Sequence, residues 1–183
     1  MVLAEDETDL LLFPPLRAGW ARRGEVAEVR LSGWNARQVV FGAMNLRTGH
    51  RLFLSRSRQR ASDFQAFLRL VDHHYRAWSV ALLVDEDPSH TAKSSLALAT
   101  DLNMTLIWLP KRAPKLNPMD TLWGQAKDVV SANKQYACLD EQVERFVAYL
   151  SAWSNREALR AAGVCAPDFW LSDVLSKNFC APA

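Results

Sequence analysis

Three aspartates lie where the sequence predicts the end of a strand or the start of a helix. Asp85 directly follows the apolar run Val80–Val84, Asp120 falls in the first turn of a predicted helix, and Asp6 follows the short apolar segment Val2–Ala4. Three carboxylates brought together suit hard divalent ions, and without a histidine box they favour Mg²⁺ or Mn²⁺ over zinc. The predicted chemistry is therefore that of a divalent ion bound by carboxylates.

Each aspartate also has an interpretation that needs no chemistry. Asp85 can start a turn before the proline that follows it, and Asp120 can stabilise a helix N-terminus through the macrodipole. Asp6 can be a solvated residue near a chain end. Taken singly, these structural roles are favoured for all three acids, and only their combination with the surrounding residues favours a functional site.

The first half of the chain predicts an antiparallel meander. Apolar and charged residues alternate over 27–31, an apolar run covers 39–44, and a turn at 47–49 leads into a third strand containing Leu52 and Leu54. These three strands should pair in chain order and form one side of a sheet.

A helix with an apolar stripe is expected next. Ser62 and Gln65 have the form of a capping box at its start. The apolar positions at helical spacing are Phe64, Phe67, Leu68, Val71, Tyr75 and Trp78. Such a stripe should pack on the sheet.

The second half predicts parallel strands and helices. The runs 80–84 and 104–109 have the apolar character of buried parallel strands, and the segment 91–103 can form the helix between them. Asn117 and Pro118 have the residue types of an N-cap and first helical position, and a further helix should contain 143–153. The predicted fold class is α/β, with a mixed sheet of an antiparallel meander followed by parallel strands, flanked by helices.

Composition limits the broad class of protein. The 183 residues are 49% hydrophobic and 23% charged, which predicts a globular domain and not a disordered or fibrous chain. No apolar run is long enough to cross a bilayer, and the N-terminus is acidic, so we expect no membrane association and a cytoplasmic location. The three cysteines lack the paired spacing of a zinc site or disulfide framework.

Several short segments carry a family resemblance. They are Ala4–Thr8, Leu12–Arg17, Gly19–Ala21, Leu83–Asp85 with His90, Leu109–Pro110, and Ala113–Asp120 with Trp123 and Lys127. Together they resemble the DDE transposases of the mariner-like bacterial insertion sequences. The 34 residues between Asp85 and Asp120 are similar to the acid spacing of that superfamily.

This resemblance implies a fold, an activity and a set of partners. The fold would be RNase H-like, and Asp6, Asp85 and Asp120 would be the catalytic, metal-binding residues, holding two Mg²⁺ or Mn²⁺ ions. The substrates would be transposon ends and target DNA, which implies a nucleoid-associated protein in a bacterial cytoplasm. A homodimer is expected because two ends must be handled together.

Four further residues are weaker candidates for the same site. Glu7 and Glu86 flank predicted catalytic positions and either assist the metals or face solvent. His90 either lines the site one turn after Asp85 or is a structural histidine. Lys127 lies two helical turns after Asp120 and either contacts a phosphate or is solvated.

The sequence also departs from the family pattern. Such transposases carry helix-turn-helix DNA-binding modules ahead of the first acid, whereas Asp6 is almost the first residue, so we expect a DNA-binding segment encoded separately. The predicted organisation is a catalytic domain over 1–153 and a C-terminal extension of unknown role over 154–183. Alternatives are a decayed or domesticated derivative that binds DNA or protein without catalysis, and a different RNase H-like nuclease.

Overall fold

One mixed sheet organises the protein. The structure, a computed structural model, describes residues 1–111 and 113–176. Its strands are β1 (Val2–Leu11), β2 (Arg37–Asn45), β3 (Arg51–Arg56), β4 (Val80–Val84) and β5 (Met104–Trp108). Their spatial order is β3-β2-β1-β4-β5. Pairing is antiparallel from β3 through β1 and parallel from β1 through β5, which confirms the predicted meander followed by parallel strands.

Helices cover both faces of this sheet. Their bounds are α1 (Ala61–Tyr75), α2 (Pro88–Thr91), α3 (Lys93–Asp101), α4 (Pro118–Ala126), α5 (Leu139–Ala152), α6 (Asn155–Ala161) and α7 (Ser172–Ser176). A short 3₁₀ turn spans Pro114–Leu116, and a π-helical turn over Lys127–Ser131 continues α4. Among the described residues no helix is both long and apolar enough to span a membrane.

The predicted strand over 27–31 is wrong, and the first strand of the meander is β1. Residues 24–32 are irregular, and Trp20 and Val26 nearby are 104% and 84% exposed. A strand needs a neighbour for its backbone groups, and the segment 27–31 pairs with none of the five strands. The segment between β1 and β2 instead runs over the surface, where Arg17 N–H donates to Asn133 Oδ1 at 2.8 Å.

The start of α1 differs from the predicted cap. Arg60 is the N-cap, and its N–H donates to the Asp63 carboxylate at 3.2 Å, so Ser62 and Gln65 do not form the capping box. The predicted apolar stripe is otherwise present, with Phe64, Phe67, Leu68 and Val71 fully buried. Trp78, however, lies beyond the helix and is 49% exposed.

The parallel half matches the prediction except at its edge. The strand β4 and the helix α3 lie where they were expected, and β5 follows them. The run in β5 was predicted to be buried on both faces, yet Ile107 and Trp108 are exposed. The reason is topological, because β5 is an edge strand with β4 as its one neighbour.

Two hydrophobic clusters lie on opposite faces of the sheet. Alternate residues of β1 divide between them, since Leu3 faces the cluster under α1 and α3, whereas Ala4 and Leu10 face the cluster under α4 and α5. Ala158 of α6 is also fully buried in the second cluster. The face of the sheet that a β1 side chain occupies therefore depends on whether its number is odd or even.

Candidate active site

Asp6 lies in the middle of β1 and not at its end. By the alternation of the strand it shares the α4 face with Ala4 and Thr8, whereas Glu5 and Glu7 point to the α1 face. Its backbone pairs with Gly42 of β2. The β1–β2 ladder therefore holds the backbone of Asp6 on one side, whereas pairing with β4 ends at Ala4.

Asp85 follows β4 at the carboxyl edge of the parallel strands, as predicted. Its Oδ1 accepts the backbone N–H of Asp87 at 3.0 Å and lies 3.0 Å from His90 Nδ1. The hydrogen bond from His90 is the main reason that the pKa of Asp85 lies below its usual value. The side chain is 58% exposed, so one part of the carboxylate is fixed and the rest remains accessible.

Asp120 is positioned by the N-terminus of α4. Asn117 is the N-cap, as predicted, and its Oδ1 accepts the N–H of Met119 at 3.1 Å. Its Nδ2 donates to the backbone carbonyl of Glu5 at 2.7 Å, which attaches this helix start to β1 beside Asp6. One side chain therefore caps the helix and places Asp120 near the first acid.

The structure brings the three predicted acids to one cleft. Asp6, Asp85 and Asp120 all line a cavity of about 490 Å³ at the carboxyl edge of the sheet. Burial, with repulsion from Glu7, Asp120 and Asp85, raises the pKa of Asp6 to about 7. Clustered carboxylates that disfavour one another's ionisation would be stabilised by a divalent cation, so this donor set fits Mg²⁺ or Mn²⁺.

A second cluster lies behind the first acid and joins two of the weaker candidates, Glu7 and His90, to Glu5, which the sequence did not single out. Glu5 and His90 are buried and Glu7 is half-buried, with ligand atoms within 4.8 Å of one another. Glu7 Oε1 lies 2.8 Å from His90 Nε2, which is the distance of a charged hydrogen bond. His90 Nδ1 likewise lies 3.0 Å from Asp85 Oδ1, so both ring nitrogens are engaged with carboxylates and we interpret this cluster as a hydrogen-bonded network.

The charges of this network follow from its contacts. Burial disfavours the imidazolium of His90, but Glu5 and the hydrogen bonds with Asp85 and Glu7 outweigh it and raise its pKa to about 12. Burial, followed by repulsion from Glu7, raises the pKa of Glu5 well above its usual value. Both Glu5 carboxyl oxygens lack a hydrogen-bond partner. The position of Glu5 on the sheet face opposite Asp6 could have been inferred from strand alternation once the full length of β1 was known.

The two remaining predicted site residues, Glu86 and Lys127, line different clefts. Glu86 lines the acid cleft and pairs with Lys111 Nζ at 3.0 Å. Lys127 lies in a neighbouring cleft that Asp120 also lines, which agrees with the predicted two-turn spacing. Burial lowers its pKa, despite the carboxylates of Asp9, Asp120 and Asp6.

Comparison with known proteins identifies the family. Residues 1–142 match the model of the DDE superfamily endonuclease. The insertion element IS630 uncharacterized 39 kDa protein of Shigella sonnei is 27% identical over 136 residues, which cover 73% of this chain and 40% of that protein. The chain thus spans less than half of this relative.

Solved structures of Mos1 transposase share the fold. The mariner Mos1 paired end complex with Mg has a TM-score of 0.70 at 17% identity, covering 98% of this chain and 56% of that one. The catalytic domain of Mos1 mariner transposase has a TM-score of 0.60 at 14% identity, covering 88% and 75%. These similarities confirm the predicted RNase H-like mixed sheet, and the family match shows that this chain belongs to the DDE superfamily of endonucleases.

Proposed function

We propose that this chain cleaves DNA strands and joins them to target DNA, with divalent ions bound by Asp6, Asp85 and Asp120. The observation that carries the proposal is the convergence of these carboxylates on one cleft in a member of the DDE superfamily. It is supported by the fold shared with Mos1, whose structures include complexes with transposon ends, Mg and Mn. A homodimer belongs to the same proposal.

Each acid would have a distinct part in binding the ions. Asp6, between the strands and near both other acids, would share a ligand role with each of them. Asp85 is already ionised and accessible, and Asp120 would complete the site from α4. A pair of bound Mg²⁺ or Mn²⁺ ions would supply the activation of a water or 3′-hydroxyl and the stabilisation of the leaving oxygen.

The surface around the acids offers a path for nucleic acid. A cleft of about 720 Å³ lined by Arg37, Arg58 and Arg60 shares Asp87 and Pro88 with the acid cleft. Phosphate contacts in protein–DNA complexes come largely from such basic side chains. A DNA backbone lying in the basic cleft would therefore reach the carboxylates without crossing the body of the protein.

The test is nicking of supercoiled plasmid by the purified chain with Mn²⁺, Mg²⁺ or EDTA. We expect nicking with either ion, none in EDTA, and a loss of about a hundred- to a thousandfold in Asp85→Asn and Asp120→Asn, because each removes a charged ligand. Asp101→Asn is the matched control, since Asp101 is exposed at the end of α3, away from the carboxyl edge of β4.

The possible outcomes separate the candidate functions. Nicking that persists unchanged in both site variants would disprove the assigned carboxylates. DNA binding by the wild type without any metal-dependent nicking would support a derivative that has lost catalysis. Cleavage restricted to RNA–DNA hybrids would indicate a different RNase H-like nuclease.

A further inference from the structure

The two acids on neighbouring parallel strands are not joined by the backbone ladder of the sheet. Pairing between β1 and β4 covers Val2–Ala4 and Ala81–Leu83. Asp6 lies two residues beyond the end of this ladder, and so does Asp85. The ladder therefore does not orient the Asp85 carboxylate, and another contact must do so.

His90 makes that contact from behind the sheet. Its Nδ1 lies 3.0 Å from Asp85 Oδ1 and 3.1 Å from the Asp85 carbonyl oxygen. Its Nε2 lies 2.8 Å from Glu7 Oε1. Glu7 adjoins Asp6 along β1, so the ring connects the strand of the first acid with the carboxylate of the second.

The surroundings fix the ring in this position. His90 is 1% exposed and packs against Phe64, with ring centroids 4.3 Å apart. Glu5 Oε2 lies 3.8 Å from Nε2 on the same side of the ring. Residues of α2 cannot shift freely either, because Asp87 caps that helix through Ser89 N–H at 2.8 Å.

We propose that His90 is a positioning residue, whose bond from Nδ1 fixes the orientation of the Asp85 carboxylate in the acid cleft. The inference rests on the proposed function, in which these aspartates bind divalent ions. Hydrogen bonds that orient a ligand commonly change metal affinity about 10- to 100-fold when they are removed. His90 itself touches neither metal nor DNA in this role.

Two amide substitutions separate the two bonds of the ring. Asparagine places its amide nitrogen near the position of Nδ1, and glutamine places it near that of Nε2. His90→Asn therefore keeps the donor to Asp85 and loses the one to Glu7, whereas His90→Gln does the reverse. Both variants remove the aromatic contact with Phe64 and the charge of the ring, so they share these losses.

The experiment measures Mn²⁺ binding to the full chain by electron paramagnetic resonance, with thermal unfolding in EDTA alongside. We expect His90→Gln to weaken Mn²⁺ binding about tenfold. His90→Asn should retain most of the wild-type affinity, with a similar loss of thermal stability. This difference in affinity at matched stability is what a purely structural histidine would not produce.

Three results would overturn the inference. Equal Mn²⁺ affinity in His90→Asn and His90→Gln would mean that the bond to Asp85 does not position a ligand. Wild-type Mn²⁺ binding that survives Asp85→Ala would instead disprove the metal site of the proposed function, and the role of His90 with it. Loss of binding in Asp85→Ala together with unchanged binding in His90→Gln would reject the positioning role alone.

Discussion

Two carboxylates of one cleft have opposite electrostatic environments. Asp6 is held among strands and other acids, and its pKa is raised to about 7, chiefly by burial. Asp85 receives a hydrogen bond from His90, and its pKa is lowered. At neutral pH Asp85 is therefore ionised before any cation arrives, whereas Asp6 exchanges a proton for a cation. Protons and divalent ions should compete at Asp6.

Metal-free protein should lose stability with rising pH because of Asp6. An acid whose folded-state pKa is raised contributes stability below its unfolded pKa and loses it as pH rises through the folded value. For Asp6 that loss runs from pH 3.8 to about 7. Asp6→Asn should therefore stabilise the protein in EDTA at pH 8, by up to roughly 4 kcal/mol, and by less at pH 5.

Chemical denaturation of wild type and Asp6→Asn at both pH values measures this effect. Asp101→Asn serves as the control, because the Asp101 side chain is exposed at the end of α3. A stability difference between wild type and Asp6→Asn that is the same at pH 5 and pH 8 would contradict the prediction. Addition of Mn²⁺ at pH 8 should reverse the ranking, since only the wild type keeps the Asp6 ligand.

At the scale of elements, the approach of α4 to the sheet determines where Asp120 lies. Gly42, the partner of Asp6 in the β1–β2 ladder, faces this helix. A Cβ there would overlap the Trp123 ring and would come within 2.9 Å of Met119 Cε. Gly42 therefore allows α4 to lie close to β2 at Trp123, which is three residues after Asp120.

Gly42→Ala should push α4 outward and displace Asp120. We expect a loss of about 1–3 kcal/mol in the free energy of unfolding, as for other overpacked cores, together with weaker metal-dependent nicking. Gly124→Ala is a control in the same helix, because a Cβ at Gly124 meets nothing within 4 Å. That substitution should be neutral or stabilising by up to about 1 kcal/mol.

A double-mutant cycle tests the cause directly. Trp123→Phe removes the part of the ring that a Cβ at Gly42 would meet. Trp123→Phe should therefore lower the free energy of unfolding less in the Gly42→Ala background than in the wild type. Strict additivity of the two unfolding free energies would show that the overlap is not the origin of the loss.

At the scale of the whole molecule, three clefts meet around the acids. The basic cleft and the acid cleft share Asp87 and Pro88, and the cleft containing Lys127 shares Asp120 with the acid cleft. The net charge of +2 is too small to predict this arrangement, because the placement of charges decides the local field. The three acids therefore lie beside clefts that basic side chains line.

Removal of two charges from the basic cleft should weaken DNA binding. Arg58→Ala combined with Arg60→Ala should lower affinity for duplex DNA about tenfold at 0.1 M salt and reduce the salt slope by about 2. The control pair is Arg69→Ala with Arg76→Ala, which removes the same charge from exposed positions on and after α1. Fluorescence anisotropy across a salt series measures both pairs, and equal losses would indicate a non-specific effect of net charge.

Local sequence was sufficient for features set by short-range physics. Asp85 follows β4 because an apolar run ends abruptly there, and Asn117 with Pro118 starts α4 because their residue types suit a helix N-terminus. The mixed sheet followed from the order of apolar patterns along the chain. The three acids could also be selected from their local sequence positions. That they meet in one cleft was an expectation based on the family resemblance.

Tertiary structure decided what depends on neighbours distant in sequence. The alternation over 27–31 forms no strand because that segment pairs with none of the five strands, and β5 is partly exposed because it lies at an edge. Glu5 differs from Asp6 by one position, yet the strand turns the two side chains to opposite faces. Periodicity determines that neighbours alternate, whereas the partners packed on each face determine which side becomes the cleft and which the buried network.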